Sequence, residues 1–460
     1  MSTRYLQIAF YTLGSLLLFA HPVVSQTNGA TPLSAAAGTR TDERTSQELY
    51  EDANGYLGRK YAEFNKQKLG YDAKLEANTK QEQKELAVAN AATISHRKDL
   101  SADDLYYLGM LQHLTGDSEA TLKVMRRYLT KNSKGDKSQI ARAVVVLHAT
   151  RTNLLAEAET TVGGYRKAEP IDFNELYGME ALLTEAFSKA NNYPRMEAHA
   201  RAMLEVARDE QAAKKVSSFK RDERLFKAAS QLAEALLKTD RHDEALATLR
   251  DLVKLSIALP SGNLYKMARI RLAGLDPNAD PLKLMSDRGI EKGVLPEIVG
   301  SEWIDQQPVK LADLRGQVVL LDFWAHWCGP CQYVFPKLQR WHENYKDKGL
   351  VILGVTNYFG RTNGRRATAT EELAYLREFK KRNRLPYGFV VSDSQINDAN
   401  YGVTSIPTSF LIDRNGSVRF IVVGANEQET NALGKKIKEL IEEPAPPATS
   451  GASAAAAQKQ

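Results

Sequence analysis

From residue 45 to residue 275 apolar side chains recur at helical spacing on a background of Ala, Leu, Glu, Lys and Arg. That periodicity and those helix-favouring residues predict amphipathic helices almost throughout. Three stretches share one layout. Leu105 to Leu111 leads to Thr115-Gly116-Asp117, then Ala120, Val124 and Leu129. Leu183 leads through Asn191-Asn192-Tyr193 to Ala198 and Leu204, and Ala233 to Leu237 leads to Thr239-Asp240-Arg241, then Ala245, Leu249 and Leu252. Each reads as a helix, a tight polar turn and a second helix whose early small residue lets the pair approach closely. A further hairpin is predicted to turn near Thr150-Arg151, before Leu154 and Ala158.

Beyond residue 276 the pattern changes. Asp276-Pro277, Asp280-Pro281 and Leu295-Pro296 mark a junction. Ile298 to Leu314 predicts a short strand and a hairpin-like lead-in, turning at Asp313 to Gly316. Val318 to Trp324 is a continuous apolar run of the kind found in strands buried on both faces, with Asp322 its single charge. A helix is predicted from Cys331 to Tyr345, a strand over Val351 to Thr356 and a polar loop from Asn357 to Thr370. A helix over Glu371 to Arg382 and a strand over Phe389 to Ser392 follow. Ser409 to Asp413 and Val418 to Val423 flank Arg414-Asn415-Gly416, a hairpin signal, and a last helix is predicted over Glu427 to Ile441.

Composition narrows the classes. A chain of 460 residues suggests two or three domains. Its 62 Lys and Arg are interspersed with 56 Asp and Glu, for a net charge of +6, so there is no nucleic-acid footprint. Arg4 precedes an apolar run from Leu6 to Ala20, followed by Pro22 to Ser25. This reads as a signal peptide over 1–25, cut after Ser25. An uncleaved anchor is the rival, although the run is short for a span of ~20 residues. Either way a periplasmic or otherwise extracytoplasmic location is expected, with no membrane span after cleavage. Residues 26–44 read as a flexible linker, 276–293 as a second linker and 443–460 as a disordered tail.

The chemistry sits at Cys328-Gly329-Pro330-Cys331, where the chain's only two cysteines lie. Two cysteines build no disulfide framework. A zinc half-site lacks partners, since His326 and His342 are too few, so no metal and no cofactor are expected. Cys328 would stand at a helix N-terminus, where unpaired N–H groups and the helix dipole favour a thiolate. That thiolate is the nucleophile of disulfide exchange. Burial should raise the pKa of Asp322, which suits an acid/base.

Asp322 to Cys331, Pro336, and the stretch Tyr401-Gly402-Val403-Thr404-Ser405-Ile406-Pro407-Thr408 resemble the thioredoxin active site, its helix-kinking proline and its cis-proline loop. Val309 to Gly316 and Phe410 to Gly416 resemble exported TlpA/ResA-type thiol–disulfide oxidoreductases. The resemblance covers about 294–442. The helical hairpins over 45–275 resemble tetratricopeptide repeats, degenerate in spacing: Asp117, Asn192 and Asp240 are 75 and 48 residues apart, not multiples of about 34. The expected fold is therefore a multidomain chain, an all-α helical-hairpin array followed by an α/β thioredoxin-fold domain.

The resemblance implies a protein-disulfide oxidoreductase. Cys328 is the attacking and Cys331 the resolving thiol of a redox-active disulfide, and Asp322 moves protons. Trp327, Ile406 and Pro407 contact substrate, whereas Trp324 is core. Its implied direction is reduction, in cell redox homeostasis or cytochrome c or metal-site maturation. Protein thiol and disulfide substrates, a membrane electron donor and protein docking on the helical domain are the expected partners. His326 reads as a solvated neighbour, and Arg361, Arg365 and Arg366 as a solvated loop. The rival reading is a helical binding scaffold whose cysteine pair is a redox switch.

Overall fold

A computed structural model describes residues 43–209, 216–278 and 295–444. The expected signal peptide, most of both linkers and nearly all of the tail lie outside those residues. Among the described residues no helix is long and apolar enough to cross a membrane.

Among the described residues eleven helices come first: α1 Ser46–Lys66, α2 Ala73–Ser95, α3 Ala102–Thr115, α4 Ser118–Lys131, α5 Asp136–Arg151, α6 Leu155–Arg166, α7 Phe173–Lys189, α8 Tyr193–Arg208, α9 Ser218–Leu237, α10 His242–Ala258 and α11 Gly262–Leu275. Side-chain caps fix their starts. Asp117 accepts from the Ala120 N–H, Asn192 from Arg195 and Ser261 from Leu264. Each satisfies a donor that the first helical turn leaves open. The predicted turns fall between α3 and α4, α5 and α6, α7 and α8, and α9 and α10. The packing differs in one detail: Ala245 is fully buried, but in α8 the buried small residue is Ala200, and Ala198 faces solvent.

Contacts divide the chain into two compact units, 1–186 and 187–460. The first holds the hairpins α1–α2, α3–α4 and α5–α6. In the second, α8 to α11 pack in sequence, and α10 and α11 also pack against an α/β domain.

That domain contains β1 Glu302–Ile304, β2 Val318–Phe323, α12 Gly329–Tyr345, β3 Leu350–Asn357, β4 Arg361–Thr362, β5 Arg365–Arg366, α13 Ala369–Arg382, β6 Gly388–Ser392, α14 Ile396–Asn400, β7 Thr408–Ile412, β8 Val418–Val423 and α15 Glu427–Glu442. The main sheet has the order β1-β6-β3-β2-β7-β8. β2, β3 and β6 run parallel, while β7, β8 and β1 are antiparallel to their neighbours. This is the mixed sheet of a thioredoxin-like fold. Every residue of β2 is buried, as its unbroken apolar run requires. The lead-in is not a hairpin: β1 pairs with β6, with Glu302 opposite Val391, 89 positions further along the chain, and Leu311–Leu314 forms a 3₁₀ turn. Trp324 is buried against Phe335, Phe379 and Phe389 at 5.5, 5.5 and 4.8 Å between ring centroids, so it is core.

Candidate active site

The sheet order places the site. β2 lies between β3 and β7, and its C-terminal end runs into the turn that carries the cysteines. The segment leaving β3 therefore flanks that turn on one side. The loop entering β7 flanks it on the other, because Thr408 pairs with Phe323.

Cys328 is the N-cap of α12, and Cys328 and Cys331 are joined by a disulfide. The Cys331 N–H donates to Cys328 Sγ at 3.2 Å. This is the helix-start geometry that favours a thiolate when the bond is reduced. Pro330 lies in the first helical turn, where its missing N–H costs nothing, and Pro336 lies inside the helix. Both cysteines are nearly buried.

Asp322 lies on β2 inside the sheet and is 1% exposed. Burial raises its pKa from 3.8 to about 7, and the Ser409 hydroxyl, donating to Oδ1 at 2.8 Å, opposes part of that rise. Thr356, on the next strand, contributes no charge. Tyr387, also buried, is held well above its ordinary pKa by burial and by the nearby Asp322 carboxyl.

Trp327 is 48% exposed. Its ring meets Phe359 at 5.4 Å, and the Arg361 guanidinium lies over it at 5.5 Å. Ile406 is half-buried and Pro407 buried, joined by a cis peptide bond. Trp327 and the Ile406-Pro407 pair thus stand on opposite flanks of the cysteine turn.

His326 departs from the expected solvated neighbour. It is buried, with Nε2 3.1 Å from the Arg361 carbonyl and 3.6 Å from Glu372. Burial pulls its pKa down, and Glu372 opposes this. Glu372 is a fully buried carboxylate that accepts from the Phe359 and Gly360 N–H groups at 2.9 and 2.8 Å. It pins the segment that carries Arg361 beside the site. The capping box of Thr368 and Glu371 signals only the helix start, and nothing in the sequence marks the next glutamate as turned inward.

The loop expected over 357–370 contains a two-residue β-hairpin, with Arg361 opposite Arg366 and Thr362 opposite Arg365. Asn363 and Gly364 form its turn, with φ of 46° and 77°. An Asn-Gly pair is the usual signature of such a turn. Here its flanks are arginines rather than apolar runs, which hides it.

On the other flank α11 holds the loop before Pro407. The N–H groups of Gly262 and Asn263 donate to the Tyr401 and Gly402 carbonyls at 3.0 and 2.7 Å. Lys266 Nζ reaches Ser405 Oγ at 3.4 Å. Asp222 accepts from Ser261 beneath this junction.

A sequence model of the AhpC/TSA family matches residues 295–421. Thiol-disulfide oxidoreductase ResA of Geobacillus thermodenitrificans is 32% identical over 135 residues, 29% of this chain and 70% of ResA. Protein DipZ of Mycobacterium tuberculosis is 30% identical over 161 residues, 34% of this chain and 21% of DipZ. The chain thus spans about a fifth of DipZ, and 66% of ResA of Bacillus anthracis, to which it is 29% identical. Among solved structures, a Chlorobium tepidum candidate thiol:disulfide interchange protein DsbE matches at 30% identity with a TM-score of 0.26, over 32% of this chain and 99% of that one.

Proposed function

This chain belongs to the ResA-type thiol–disulfide oxidoreductases, and we propose that it reduces disulfides of exported proteins through Cys328. In that reaction the Cys328 thiolate attacks one sulfur of a substrate disulfide. The substrate S–S bond breaks, a mixed disulfide forms, and the departing substrate thiolate takes a proton. Cys331 then gives its proton to Asp322 and attacks Cys328 Sγ. The second substrate thiolate leaves, and the Cys328–Cys331 disulfide remains. Two electrons pass from the cysteine pair to the substrate.

The disulfide at the start of α12, on the turn that follows the strand bearing a buried carboxyl whose pKa is near 7, carries this reading. A general acid/base works best when its pKa lies near the working pH. The cis-proline loop offers its backbone to an extended substrate segment, with Trp327 and Ile406 on either side of the target sulfur. Regeneration needs an external dithiol donor, which we assign to a membrane-borne electron carrier. The apolar run Leu6 to Ala20 supports work outside the cytoplasm, where redox homeostasis and cytochrome c or metal-site maturation are the candidate destinations. The helical region lies outside the family match. We assign it to docking of partner proteins.

The test is Cys331→Ser in the full chain, which should accumulate mixed disulfides on Cys328, while Cys328→Ser accumulates none. If the double variant retains full biological activity, the cysteine pair is not the working part.

A further inference from the structure

Four cations surround the cysteine turn without counter-charges. Arg361, Arg365 and Arg366 lie exposed on the β4–β5 hairpin beside Trp327. Lys266 lies half-exposed beside Ser405 on the opposite flank. Among the described residues, none of the four lies within ion-pair distance of a carboxylate. The neighbouring acids are already engaged: Glu372 by the backbone of Phe359 and Gly360, Glu371 by the cap of α13, and Glu429 by Arg269.

The hairpin is arranged against its own stability. Arg361 faces Arg366 directly across two strands of two residues each. Like charges in that position repel, and so short a ladder has few hydrogen bonds to offset the repulsion. Yet Glu372 and His326 hold the hairpin in place from beneath. A buried carboxylate thus anchors a surface that repels itself. Negative charge from outside the chain would relieve that repulsion.

We propose that the mouth of the redox site is a cationic dock for an acidic protein segment flanking the target disulfide. This rests on the oxidoreductase reading and names its substrate class. A segment lying along Ser405 and Ile406 would run between Lys266 and the arginine hairpin, because β7 and β3 stand on either side of β2. Carboxylates a few residues to either side of the target cysteine would meet these cations. Such complementarity raises the rate of productive encounter and rejects basic segments.

The experiment uses the reduced full chain and three cyclic disulfide peptides of identical loop sequence. Their flanks carry aspartates, serines or lysines. Uncharged bis(2-hydroxyethyl) disulfide serves as a reference. Single-turnover rates are read from tryptophan fluorescence. The acidic peptide should react about tenfold faster than the basic one at low salt, with the neutral peptide between them. The ratio should collapse toward one at ~0.5 M salt, where screening is short-ranged. In the triple variant Lys266→Glu, Arg365→Glu, Arg366→Glu the order should invert. Equal rates for the three peptides, with the reference still reduced, would overturn the dock alone. A uniform rate change in the triple variant would also overturn it, because it would mean that the cations tune only the Cys328 thiolate. If no disulfide is reduced, the reference included, the oxidoreductase reading falls and takes the dock with it.

Discussion

Ser409 donates its hydroxyl to Asp322 across the β2–β7 ladder at 2.8 Å, and the two residues are also direct register partners. The carboxyl therefore sits inside the sheet with one neutral donor. In that setting burial prevails, and the pKa rises to about 7. Asp322→Asn should slow release of the Cys328 mixed disulfide by roughly a hundredfold, the scale of a lost general acid/base. The native rate should also rise with pH through about 7 as the carboxylate forms, and the variant should lack that inflection. Stopped-flow single turnovers from pH 5.5 to 8.5 would check this; an unchanged inflection in Asp322→Asn would assign it to another group.

The same shift has a stability consequence of fixed sign. A carboxyl whose pKa is raised on folding binds its proton more tightly in the folded state, so stability is greatest below the unfolded value of 3.8 and falls as pH rises to about 7. Between pH 5 and pH 8 the oxidised native protein should lose about 3 kcal/mol through this group. Asp322→Asn should not share that loss and should gain on the native protein at pH 8. Urea titrations of both oxidised proteins at the two pH values give the comparison, and a constant difference between them would refute it.

Glu372 is the anchor of the arginine hairpin. Replacement by Ala leaves the part-buried Phe359 and Gly360 N–H groups without their acceptor, and His326 without its neighbouring acid. An unpaired buried donor costs about 1–3 kcal/mol, and one that water partly reaches costs less, so Glu372→Ala should lose about 1–3 kcal/mol, and Glu372→Gln less. Hydrogen exchange at residues 359 and 360 should accelerate in both. A change in Glu372→Ala of under about 0.5 kcal/mol would place it with ordinary surface substitutions.

Much of the α/β domain was legible because its signals are local. Val318 to Trp324 reads as a buried strand from one window of sequence, and Asn415-Gly416 between apolar runs reads as the β7–β8 hairpin. The cysteine pair and Asp322 stand out through residue type and spacing, and Pro407 through the resemblance of its loop to the thioredoxin cis-proline loop. What escaped depends on distant partners. β1 pairs with β6 across the whole core of the sequence, Glu302 with Val391. Glu372 differs from Glu371 only in the face it presents. His326 is buried because a hairpin from β3 closes over it. The grip of α11 on the cis-proline loop joins Gly262 to Tyr401 and Asn263 to Gly402, and no periodicity announces such a contact.

That grip makes Gly402 the most constrained position near the site. Its φ is +54°, and a Cβ there would lie 2.3 Å from Ser261 Oγ and 3.1 Å from Asp222 Oδ2. Gly402→Ala therefore meets both an unfavourable backbone conformation and a clash with the cap of α11. It should lose about 2–4 kcal/mol, and it should loosen the loop that ends at Pro407. Gly274, near the end of α11, is the control: a Cβ there meets nothing within 4 Å. Gly274→Ala should gain roughly 0.5 kcal/mol from helix propensity. Guanidinium titration gives both signs, and limited proteolysis of residues 401–407 reports the loop. If Gly402→Ala unfolds cooperatively at the native midpoint with the loop equally protected, α11 does not hold the cis-proline loop in place.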